Sequence, residues 1–176
     1  MSRRAALRSR GLAVGVVLTG LVAAGCTVAT LGDADPGPLA VTEGSGEWCL
    51  PDFETAGDVV HGSEVLYNES DAVLQITDVS LVDARNLEIK GSYQGPLRNL
   101  LVGTLLGWPS AERLQKRGFE PVGRIDPNSQ ANLVVLLRSG DDADSADISG
   151  VRIEYEADGE TFWVTTGYSV IWRKRC

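Results

Sequence analysis

Val151-Arg152-Ile153-Glu154-Tyr155-Glu156-Ala157-Asp158-Gly159-Glu160-Thr161-Phe162-Trp163-Val164-Thr165-Thr166 reads as a β-hairpin. Two runs of β-branched and aromatic residues, Val151 to Glu156 and Thr161 to Thr166, flank Ala157-Asp158-Gly159-Glu160. Asp-Gly between such runs is a strong hairpin signal, because both turn residues must take positive φ. In the second run, Phe162, Val164 and Thr166 alternate with Trp163 and Thr165. Successive strand side chains point to opposite faces, so Phe162 and Trp163 are expected on opposite sides of the sheet. An exposed Trp163 is the first residue to suspect of touching a ligand or partner.

The same alternation extends outward from the hairpin. Val73 to Val82 is rich in Val, Leu, Ile and Thr, and Asp83-Ala84-Arg85-Asn86 reads as a turn. Leu87 to Tyr93 alternates again, and Gly95-Pro96 ends it. Asn99 to Trp108 is an apolar run, and Ala131 to Arg138 is a buried strand. A polar loop is expected over Ser139 to Ser149, and a last strand over Tyr168 to Arg173. Pro109 to Gly118 reads as one short helix, capped by Ser110 and ended by Gly118. Some seven strands with almost no helix predict an all-β fold, an antiparallel immunoglobulin-like β-sandwich. A barrel is the main alternative.

The N-terminus predicts an address. Arg3, Arg4, Arg8 and Arg10 precede an apolar stretch from Gly11 to Ala24, too short to span a bilayer as a helix. Val22-Ala23-Ala24-Gly25-Cys26 resembles a lipobox, with small residues before an obligatory cysteine. Residues 1–25 are therefore expected to be a removable signal peptide. Cys26 is the expected lipidation site, carrying the diacylglyceryl and palmitate chains. Residues 2–8 loosely resemble a twin-arginine signal, but plain Sec export is the expected route. The expected location is the extracytoplasmic face of the cell membrane, held there by lipid and not by a span. Residues 26–47, rich in Gly, Pro and acids, read as the lipidated cysteine and a flexible tether. Residues 48–176 are the expected folded domain.

Removing residues 1–25 leaves 12 basic and 24 acidic side chains. That excess argues against a nucleic-acid partner, which needs a basic footprint. Cys49 and Cys176 remain once Cys26 is lipidated. In an oxidising compartment they are expected to form a disulfide joining the domain's two ends.

Chemistry is sparse. His61 is the single histidine, with no Gly-x-Ser-x-Gly elbow beside it, so neither a catalytic residue nor a cofactor is expected. One histidine and a single methionine, Met1, leave no transition-metal set. Asp141, Asp142, Asp144 and Asp147 cluster in one loop, but lack EF-hand spacing, and no metal site is expected. Trp48, Trp108, Trp163 and Trp172 divide between core packing and contact. Arg173-Lys174-Arg175 reads as a solvated terminus.

Residues 76–87 (Ile76-Thr77-Asp78-Val79-Ser80-Leu81-Val82-Asp83-Ala84-Arg85-Asn86-Leu87), Gly107-Trp108-Pro109, Asn132-Leu133-Val134-Val135 and the Tyr155-Glu156-Ala157-Asp158-Gly159 turn carry a resemblance. The chain resembles uncharacterised actinobacterial lipoproteins with a small β-sandwich domain. The resemblance implies location and fold, and no activity. The expected function is a non-catalytic, lipid-anchored envelope module that binds or stabilises a membrane or wall protein. A small-molecule or glycan-binding lipoprotein is the alternative.

Overall fold

The computed structural model describes residues 37–42, 44–51, 58–99, 103–106, 111–140 and 145–176. The expected signal peptide (residues 1–25), the expected lipidation site Cys26, Trp108 and Asp141 to Asp144 lie outside these residues. The described chain runs β1 (Leu39–Val41), β2 (Gly46–Leu50), β3 (Asp58–Asn68), β4 (Leu74–Val82), β5 (Leu87–Gly95), a 3₁₀ turn (Leu97–Asn99) and β6 (Thr104–Leu106). It continues through α1 (Ala111–Lys116), β7 (Glu120–Pro121), β8 (Arg124–Ile125), β9 (Ser129–Ser139), β10 (Ser145–Ile148), β11 (Gly150–Ala157), β12 (Glu160–Thr165) and β13 (Tyr168–Arg173).

These strands form open sheets and not a closed barrel. The first sheet runs β1-β3-β9-β5-β7, with β6 also on β3. A second runs β12-β11-β4-β8, and a third β10-β13-β2. Pairing is antiparallel except between β13 and β2. One apolar core draws on all three sheets: Leu66, Leu133 and Leu137 from the first, Leu74, Ile153 and Tyr155 from the second, Ile148 and Trp172 from the third. The fold is thus an all-β sandwich. Burial of alternate side chains from facing sheets is what drives such layers together.

The expected hairpin is β11–β12. Asp158 and Gly159 both take positive φ, 50° and 84°, the two-residue turn whose twist matches the flanking strands. Helix α1 ends as the sequence implies. Gly118 sits at φ 80°, its N–H donates to the Gln115 carbonyl, and the Phe119 N–H reaches back to the Leu114 carbonyl. That turn drops Phe119 onto Gly95, where a side chain would overlap the ring. Leu114, Phe119, Val60 and Val134 form a smaller cluster on the outer side of the first sheet.

Two stretches read as irregular are strands. The tether expected over 26–47 includes β1 and the start of β2. The Leu39 N–H donates to the buried Tyr155 hydroxyl at 3.1 Å, which fixes β1 to the second sheet. Ser145–Ile148, expected to be loop, is β10, paired along its length with β13. Its apolar residues Ala146 and Ile148 are buried, at 0% and 1% exposure. Asp147 on the opposite face is held by Arg85 at 2.6 Å.

Cys49 and Cys176 are joined by a disulfide, with Cα atoms 5.7 Å apart and a sequence separation of 127. It ties β2 to the end of the chain beyond β13.

Candidate functional site

The outer face of the second sheet is a grid that follows from strand register. Arg152, Glu154 and Glu156 alternate with the core residues Val151, Ile153 and Tyr155 on β11. Across the ladder, Arg152 faces Thr165, Glu154 faces Trp163, and Glu156 faces Thr161. On the other flank, Ser80 faces Arg152, Asp78 faces Glu154, and Gln75 faces Glu156. The middle row is therefore Asp78–Glu154–Trp163, running across three strands.

Trp163 is half-buried, while Phe162 turns inward and stacks on Tyr155 with ring centres 5.7 Å apart. The Arg152 guanidinium lies 4.5 Å from the centre of the Trp163 ring. Arg152 also meets the Glu154 carboxylate at 3.2 Å. A guanidinium over an indole face is attracted by the ring's negative face. The stack holds a large aromatic surface at the solvent boundary in one orientation.

The other tryptophans divide as core and edge. Trp172 is fully buried among core residues. Trp48 is 37% exposed, beside Gly103, and lies on β2 of the third sheet.

Two ionisable residues are buried: His61, expected to be a surface or packing residue, and Glu64, which nothing in the sequence pattern marks. His61 and Glu64 are each 1% exposed on β3. The register with β9 slips between them: His61 faces Val135, and Glu64 faces Leu133. One extra residue is accommodated there, a β-bulge. The bulge flips the strand's phase, so Val59 before it and Leu66 after it both reach the main core. Burial pushes Glu64 up to about 7, and the nearby Thr166 hydroxyl offsets part of that rise without reaching full hydrogen-bond geometry. Neither carboxylate oxygen lies in hydrogen-bond geometry with a donor among the described residues. Burial lowers His61 to about 4. Both residues are walled off from solvent, which suits a packed interior and not a substrate site.

Two open clefts, of about 200 and 280 Å³, are polar and shallow. The larger is lined by Gln94, Glu120, Arg124, Asp126 and Gln130, among others. Both fall below the usual range of roughly 300–1,000 Å³ for small-molecule sites. Gln94 itself is engaged: its amide nitrogen donates to the Arg124 carbonyl at 2.8 Å, and its oxygen accepts from the Gly123 N–H at 3.1 Å. Among the described residues no three His, Cys, Asp or Glu side chains group as a metal site.

No protein-family model matches the chain, and no curated protein matches it. Among solved structures, the Vibrio cholerae VesB protease is similar at a TM-score of 0.42 and 7% identity, over 78% of this chain and 32% of that one. A family 123 glycoside hydrolase from Clostridium perfringens is similar at a TM-score of 0.40 and 13% identity, over 77% and 27%. This chain spans about a third or less of either protein, and neither likeness bears on activity.

Proposed function

We propose that the sandwich is the folded part of a lipid-anchored extracytoplasmic lipoprotein, and that its Trp163 face docks an envelope protein. The observation that carries this reading is the Arg152–Trp163 stack on an outward sheet face. Nothing in the core requires Trp163, since Phe162, Val164 and Tyr155 already pack the inner side. Tryptophan and arginine are the residue types most enriched at the energetic centres of protein interfaces. A ring already held by a stacked guanidinium loses little freedom on binding, which favours affinity. The lipobox-like Val22 to Cys26 supplies the anchor.

The reading is tested in two arms. Labelled palmitate should enter the wild-type protein and not Cys26→Ala, and the variant should leave the membrane fraction. Affinity capture after in-cell crosslinking should recover one dominant membrane or wall protein from wild type. Absence of label overturns the anchor; absence of any enriched protein overturns docking.

A further inference from the structure

The geometry points to a cationic docking segment: the protein partner seats a Lys- or Arg-bearing stretch on the row Asp78–Glu154–Trp163. This rests on the docking role proposed for the Trp163 face, and names the partner's chemistry there.

Asp78 and Glu154 are register partners on adjacent strands and point outward together. Side chains directly opposite in an antiparallel pair stand about 5 Å apart at Cβ, and like charges there repel. Glu156, one step along β11, adds a third carboxylate on the same face. Among the described residues the face holds one central guanidinium against these three, and that guanidinium is committed to Glu154 and to the Trp163 ring. Farther out, Arg124 on β8 faces Gln75 but is paired with Asp126 at 2.7 Å. The acids on the Asp78 side are therefore under-neutralised, and they sit one strand from a large aromatic surface. A cation from outside relieves the cross-strand repulsion and continues the guanidinium layer, while its aliphatic stem lies along the indole. A neutral or acidic segment would leave that repulsion in place or add to it. Charge complementarity and the adjoining ring thus select one occupant, a basic protein segment.

The test uses the full chain in cells, with a photo-crosslinking amino acid in place of Thr161, beside the row. The expected adduct is a protein peptide carrying Lys or Arg within a few residues of the crosslink. Asp78→Lys with Glu154→Lys should lower the yield at least tenfold. Glu88→Lys, a reversal on β5 of the first sheet, should leave it unchanged. Thermal melts of each variant confirm folding, and Asp78→Asn alone, milder for the fold, should give a partial loss. A neutral or acidic adduct, a wall-glycan adduct, or a yield indifferent to the reversal overturns the inference while leaving docking or surface contact standing. No adduct at position 161, together with no captured protein from wild type, removes the docking role itself.

Discussion

Arg152 lies diagonally across the β11–β12 ladder from Trp163, and its guanidinium stands 4.5 Å from the ring centre. The pair fixes an aromatic surface outward on a sheet whose inner face is fully used by the core. Trp163 keeps part of its surface in solvent, so Trp163→Ala should cost about 1–3 kcal/mol, less than the loss of a fully buried tryptophan. Denaturant melts of the variant should still show a cooperative fold, while partner capture falls steeply. A variant that unfolds would mean that the ring is a core element instead.

Leu39 and Tyr155 make the second contact that decides an outcome. The buried Tyr155 hydroxyl accepts the Leu39 N–H, 116 residues away in sequence. Tyr155→Phe leaves that N–H without this acceptor and should cost about 1–3 kcal/mol. Gly37, just upstream, cannot carry a side chain without overlapping the Tyr155 hydroxyl and approaching the Phe162 ring at 2.8 Å. Gly37→Ala should therefore loosen β1 specifically. Amide exchange at Leu39–Val41 and along Leu66–Asn68, its partner, would report it.

That contact also shows where sequence reading stopped. The hairpin turn, the inward Phe162 and outward Trp163, the end of α1 at Gly118 and the Cys49–Cys176 pair were legible, because each depends on neighbours or on residue chemistry. Leu39–Val41 and Gly46–Glu47 read as tether because their composition is that of a linker; the first takes its order from Tyr155 and β3, the second from β13, all distant in sequence. The stretch around His61 shows no alternation in the sequence because the bulge between His61 and Glu64 breaks period two. Two of the inward residues there are also polar, which erases the apolar signal. The Asp78–Glu154–Trp163 row needed strand register, which a single sequence does not carry.

His61 and Glu64 titrate against each other. Glu64 stands near 4.5 when solvated and near 7 when buried. Its contribution to stability is full below pH 4.5 and is lost as pH rises to about 7. His61 stands near 6.5 when solvated and near 4 when buried. Its contribution is full above pH 6.5 and is lost as pH falls to about 4. Each is worth about 3 kcal/mol across its range. Between pH 4.5 and 6.5 the two slopes oppose and cancel, so wild-type unfolding free energy should be nearly flat there. Glu64→Gln should expose the His61 slope, with stability rising with pH. His61→Gln should expose the opposite slope. Chemical denaturation from pH 4 to 8 checks this; flat profiles in both variants would refute it.

The disulfide closes almost the whole folded chain. Chain-entropy reasoning for a loop of 127 residues gives up to about 5 kcal/mol. Cys49→Ser with Cys176→Ser should lower the melting temperature markedly and fray β2, which pairs only with β13 among the described strands. Unchanged exchange at Gly46–Leu50 would show that the parallel ladder holds β2 without the bond.

The most direct test of the account compares crosslinked partner capture from cells carrying wild type, Trp163→Ala and Thr77→Ala, at equal surface amounts. Thr77 is exposed on the same sheet, at its bulge with β11, and serves as the control. The account predicts one dominant envelope protein from wild type and Thr77→Ala, and at least a tenfold loss from Trp163→Ala. Equal capture from all three would contradict it.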